Sequence, residues 1–71
     1  MKTKQELLVQ ALKGRFEADR ASAVATLQVY LDSAAGIGEH PQVVDEMAKQ
    51  VEILAAAEDN LEVLERNFNY E

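Results

Sequence analysis

The sequence predicts an all-α protein, an antiparallel two-helix hairpin of the coiled-coil type. Its 71 residues are rich in Ala, Leu, Glu and Val and contain one Pro and no Cys, a composition that favours helix. Apolar residues recur at spacings of three and four in two long stretches, and a short segment with two of the three glycines separates them. We therefore expect one domain over residues 1–71, with helices at about 4–35 and about 41–68 and a turn at 36–40.

The predicted turn is built from residues with distinct conformational preferences. Gly36 suits the left-handed position that follows a helix, and Ile37 is placed to pack back on the last helical turn. Pro41 fits the first position of the second helix, where its missing N–H has no partner to lose, and His40 becomes the N-terminal cap. With Gly38 these residues make a short connection, which places the two helices antiparallel.

Each predicted helix has a main apolar stripe, and the two stripes form the predicted seam between the helices. Asp19 and Arg20 interrupt the first stripe in its middle. On the second helix one row recurs every seven residues from Met47 to Phe68, and an alternate row drifts by one residue between Val51 and Ala57. The predicted seam consists of Leu12, Phe16, Leu27, Tyr30, Met47, Val51, Leu54, Leu61 and Phe68.

Charge is divided unequally between the two halves of the chain. Residues 1–35 have five basic and four acidic side chains, whereas residues 36–71 have two basic and nine acidic ones. Lys4 at the start of the first helix and Glu65 at the end of the second have the wrong sign for the dipoles of their own helices. An antiparallel hairpin brings these two ends together, so that the charges compensate across the interface.

A second apolar surface predicts self-association. Three alanines of the first helix recur every seven residues, away from the main stripe, and would let another helix approach closely. Ala is also the best helix former and is tolerated in water, which is the simpler explanation. Because two helices alone form a thin core, we expect a homo-oligomer, preferably a dimer that forms a four-helix bundle. The predicted oligomer face consists of Leu7, Ala11, Ala18, Ala25, Val29 and Ile53.

The sequence contains no motif that predicts catalysis, a cofactor or a metal site. One imidazole, that of His40, gives only a weak metal signal, and the absence of Cys excludes thiolate chemistry and cysteine zinc sites. The acidic run at 58–62 lacks the glycine of a calcium loop, and the glycines at 36 and 38 lack the following Lys-Ser/Thr of a phosphate loop. We therefore expect a non-enzymatic protein without a cofactor.

The turn and the helix after it resemble a group of small proteins encoded by tailed bacteriophages. The similarity lies in Gly36-Ile37-Gly38-Glu39-His40-Pro41, in the acidic segment 55–65, and in Ala18-Asp19-Arg20 and Tyr30-Leu31. The resemblance implies a phage origin and a helical hairpin. It brings no catalytic residues, because the group has no assigned activity.

These observations predict a structural or accessory interaction protein that acts through helix–helix association, with itself and with a phage or host protein. The alternative is an acidic regulator or nucleic-acid mimic, in which carboxylates of the second helix bind a partner protein. Direct nucleic-acid binding is disfavoured by the net charge of −6; its candidate residues are Lys2, Lys4, Lys13, Arg15 and Arg20. No apolar run is long enough for a membrane span, and no signal peptide is recognisable. We expect a soluble protein of the host cytoplasm or the virion.

Overall fold

The computed structural model describes residues 2–32 and 41–69 and shows two helices there. Helix α1 is Lys4–Asp32 and helix α2 is Pro41–Asn67. No strand occurs in this part of the chain. The all-α helical hairpin predicted from the sequence is confirmed. The turn residues Gly36, Ile37, Gly38 and His40 lie outside the described residues.

The helices pack side by side and run in opposite directions. Lys13 Nζ in the first half of α1 lies 4.0 Å from Glu65 Oε2 near the end of α2. Val9 and Leu64 line the same grooves at this end of the molecule. The resulting rod has principal extents of 53 × 18 × 14 Å. The open end of the rod is the end at which α1 begins and α2 ends. The connected end is the opposite one.

A capping box begins α1. Thr3 Oγ1 accepts a hydrogen bond from the backbone N–H of Glu6 at 3.1 Å, and the Glu6 carboxylate accepts one from the Thr3 N–H at 3.5 Å. The Leu7 N–H donates to the Thr3 carbonyl at 3.0 Å, which closes the first turn. Reciprocal bonds of this kind satisfy backbone donors that a helix start otherwise leaves unpaired.

The core between the helices is small and contains alanine at its centre. Ala23 and Ala57 are 1% and 2% exposed, and Leu64 is also buried. An alanine in such a contact lets the two backbones approach closely, but it removes little apolar surface from water. A rod of this kind leaves most of its large apolar side chains at least partly accessible, and that property decides where a functional surface can lie.

Candidate interaction surfaces

The helix–helix seam follows a stricter seven-residue repeat than the sequence predicted. Six of the predicted seam residues are partly buried, namely Phe16, Leu27, Tyr30, Met47, Leu54 and Leu61. Val51 is instead 53% exposed, and Gln50 is partly buried beside it in sequence. The second row of α2 runs through Val43, Gln50, Ala57 and Leu64 without a drift. The prediction began this row at Val44 and Val51 and needed a one-residue drift to reach Ala57 and Leu64, whereas the helix keeps its period.

Leu12 and Phe68, also predicted in the seam, lie at its exposed margin. Both are exposed, and both line an apolar groove of about 270 Å³ at the open end. Phe68 follows the last residue of α2, and its N–H donates to the Leu64 carbonyl at 2.8 Å. These two side chains therefore widen the seam into a surface groove and add little to the buried core.

The predicted oligomer face is exposed but does not form one surface. Ala18 lies five residues before the buried Ala23, and Ala25 lies two residues after it. At 100° per residue, both alanines are almost directly opposite the contact with α2. Leu7 and Val29 are exposed beside this stripe. Ile53 is exposed as well, but it belongs to α2, so the hairpin itself separates it from the outer side of α1.

A further surface crosses both helices along one edge of the seam, and the sequence did not predict that its residues share one side. It starts from Lys13 and Glu65, whose contact fixes which residues of the two antiparallel helices are level. Seven residues further along α1 and seven back along α2 lie Arg20 and Glu58, and one more step gives Leu27 and Val51. A seven-residue step keeps a residue on nearly the same side of its helix. We call this side of the hairpin the ladder flank.

The ladder flank is charged near the open end and apolar near the connected end. Its charged half contains Lys13, Glu17, Arg20, Glu58 and Glu65, and its apolar half contains Val24, Leu27, Leu31, Val44, Met47, Val51 and Leu54. Val24, Leu31, Val44 and Val51 are 44%, 58%, 69% and 53% exposed. In the sequence these residues recur at spacings of three and four along one edge of each main stripe and partly overlap it. Their common side becomes visible only when the register between the helices is known.

The described residues offer little to a small ligand. A mixed groove of about 340 Å³ at the open end is lined by Lys2, Glu6, Lys13, Glu65 and neighbouring residues. It is shallow, and Lys2 Nζ already donates to Gln10 Oε1 at 2.9 Å. No group of three or more potential metal ligands lies together within residues 2–32 and 41–69. Neither α1 nor α2 is apolar enough over a sufficient length to cross a membrane.

The acidic side chains of the alternative function lie on the outside of α2. Asp45, Glu52 and Asp59 are exposed at intervals of seven residues, and Glu58 and Glu62 are exposed near them. The basic residues considered for nucleic-acid binding do not form one patch, because Lys13 turns towards Glu65 while Arg15 lies on another side of α1.

A helical hairpin with exposed apolar surfaces is thus the class of protein that the fold defines. Comparison of the chain with models of protein families, with curated proteins and with solved structures gave no match.

Proposed function

We propose that this chain is a non-enzymatic helical interaction protein that acts by packing its exposed apolar surfaces against other helices, first of all those of a second copy. The observation that supports the proposal is the imbalance between core and surface. Among the described residues three side chains are buried, whereas eleven large apolar side chains are exposed. Scattered exposed apolar residues are normal, but several that share one side of the rod, as Val24, Leu31, Val44 and Val51 do, indicate a binding surface.

The energetics of a small domain favour the same function. A chain of this length usually needs disulfides, a metal or a partner subunit to be stable. Disulfides are excluded because the sequence has no Cys. Association with further helices would remove exposed Leu and Val side chains from water. Each Å² of apolar surface buried in this way stabilises the complex by about 25 cal/mol. The phage origin stays a prediction from the sequence resemblance, and the location in the host cytoplasm or the virion also stays a prediction from the sequence.

The test is the solution mass across a dilution series, with helicity followed by circular dichroism. We expect a species of twice the 7.9 kDa chain mass, with helicity that falls on dilution because folding and association are coupled. A monomer that keeps its full helicity from micromolar to millimolar concentration would contradict self-association. The proposed function would then be restricted to packing against helices of a different protein.

A second candidate function uses the exposed carboxylates of α2. Asp45, Glu52 and Asp59, with Glu58 and Glu62 near them, form a band of negative charge on α2 that is densest at 58–62, which supports binding to a basic surface of another protein. Replacing Glu58, Asp59 and Glu62 with the corresponding amides should then abolish partner capture while helicity is retained. Unchanged capture by the triple variant would end this candidate.

A further inference from the structure

We propose that the ladder flank is the surface through which two copies of this chain associate, with their connected ends together and α1 of each copy lying over α2 of the other. This inference rests on the proposed function, because it adds to that self-association the surface and the geometry of the contact. Its occupant is a second copy, and the argument depends on the order of apolar and charged residues along the flank.

The apolar half supplies the contact. Leu27 and Val51 are level in the hairpin; Leu31 and Val44 extend the same side towards the connected end, and Val24 extends it towards the open end. These residues come from both helices, so a second hairpin packed on them produces a four-helix arrangement around a common core. The broad side of the rod, 53 Å by 18 Å, is large enough for the about 800 Å² that each partner contributes to a stable interface.

The charged half selects the orientation. A two-fold axis parallel to the rod gives equivalent residues of the two copies the same position along the rod. It places α2 of each copy against α1 of the other. Arg20 then faces the partner's Glu58, and Lys13 faces the partner's Glu65, so these two basic residues of α1 each lie over an acidic residue of α2. Exposed ion pairs add little to affinity, but they disfavour the wrong register and the wrong partner.

A reversed arrangement is much less favourable. A two-fold axis perpendicular to the rod would turn the second hairpin end for end. At full overlap it would then lay the charged half of one copy on the apolar half of the other. Arg20 and Glu58 would lose water against Leu and Val side chains, and desolvation of unpaired charges is costly. The parallel arrangement therefore covers the whole flank, whereas the reversed one covers only part of it.

The first experiment compares two aspartate variants by sedimentation equilibrium. Val51→Asp places a charge in the apolar half of the ladder flank, and Val29→Asp places one on the outer side of α1; both positions are exposed in the hairpin. We expect Val51→Asp to raise the dimer dissociation constant by about tenfold or more, because the dimer would bury an unpaired charge. We expect Val29→Asp to leave that constant within about twofold. The opposite ranking would overturn the proposed interface.

The second experiment mixes Arg20→Glu with Glu58→Arg and follows dimers by native mass spectrometry. Each variant alone places like charges at two positions of its homodimer. The mixed dimer instead restores an opposite pair at both positions. We expect mixed dimers to exceed the statistical half of all dimers, and this excess to disappear in high salt. This outcome does not depend on the folding of Val51→Asp.

The results also separate this inference from the proposed function. A wild-type chain that stays monomeric and helical at all concentrations would overturn self-association and the ladder-flank dimer together. A wild-type dimer with a statistical mixture of the charge variants, or with Val29→Asp as the more disruptive change, would overturn only the ladder-flank geometry.

Discussion

The Nζ atom of Lys13 lies 4.0 Å from the Oε2 atom of Glu65, and this contact marks the register that the two helices have. Both side chains are substantially exposed, so the attraction between them acts through a solvent-screened medium. The contact is most informative as a geometric marker. It shows which residues of α1 and α2 are level, and hence that charged and apolar residues separate along one side of the rod.

The first prediction concerns this pair. Lys13→Glu should lower the free energy of unfolding by no more than about 1 kcal/mol, because an exposed ion pair contributes roughly 0–1 kcal/mol. Urea unfolding at low and high salt measures the change, which should shrink as salt screens the charges. Lys13→Glu combined with Glu65→Lys should recover the loss. Failure of the double variant to recover at low salt would show that the charges do not interact.

The second prediction concerns the capping box of Thr3 and Glu6. Thr3→Ala removes the side-chain oxygen that accepts the Glu6 N–H, and it should lower the free energy of unfolding by about 0.5–2 kcal/mol. Thr3→Ser keeps the hydroxyl and is the matched control. Equal unfolding midpoints for the Ala and Ser variants would show that the cap contributes nothing measurable.

The hairpin could be predicted because the signals for it are local. Seven-residue apolar spacing, the absence of Gly and Pro from 42–67 and the Pro at position 41 each act on a few neighbouring residues. The Thr3-Lys4-Gln5-Glu6 capping box is equally local. It was not predicted, because the start of the first helix was placed by apolar spacing alone. Helix α1 is less clearly amphipathic than α2, and its predicted main apolar stripe is interrupted by Asp19 and Arg20.

The interaction surfaces were harder to predict, because they depend on the register between helices that are separate in sequence. Val51 is apolar and one residue from Gln50, so hydrophobicity placed it in the seam, whereas helical period places Gln50 there. Ile53 was grouped with the alanines of α1 because both lie off the main stripes. A row on one helix can be joined to a row on the other only after a contact such as Lys13 with Glu65 is known.

The third prediction concerns the buried end of the seam. Leu64→Ala should lower the free energy of unfolding by about 2–5 kcal/mol, since Leu64 is buried and its removal leaves a cavity between the helices. Leu8→Ala is the matched control, because Leu8 is exposed and the change should cost less than about 0.5 kcal/mol. Chemical unfolding of both variants at one concentration gives the comparison. Similar midpoints would mean that Leu64 is not a core residue.

The fourth prediction concerns Gly14 in the interior of α1. A Cβ built at this position meets nothing within 4 Å, so Gly14→Ala adds no clash and removes the entropic cost of glycine in a helix. We expect the free energy of unfolding to rise by about 1 kcal/mol. Ala21→Gly, at another exposed position of α1, should lower it by a similar amount.

Gly14→Ala and Ala21→Gly also test whether another helix packs on the outer side of α1. In an isolated hairpin, or in a dimer formed through the ladder flank, both effects should be independent of protein concentration. Close packing of a partner helix on the outer side of α1 would instead place the new methyl group in the interface. Gly14→Ala would then weaken association even as it stabilised the helix. Thermal unfolding measured across a concentration series separates the two cases.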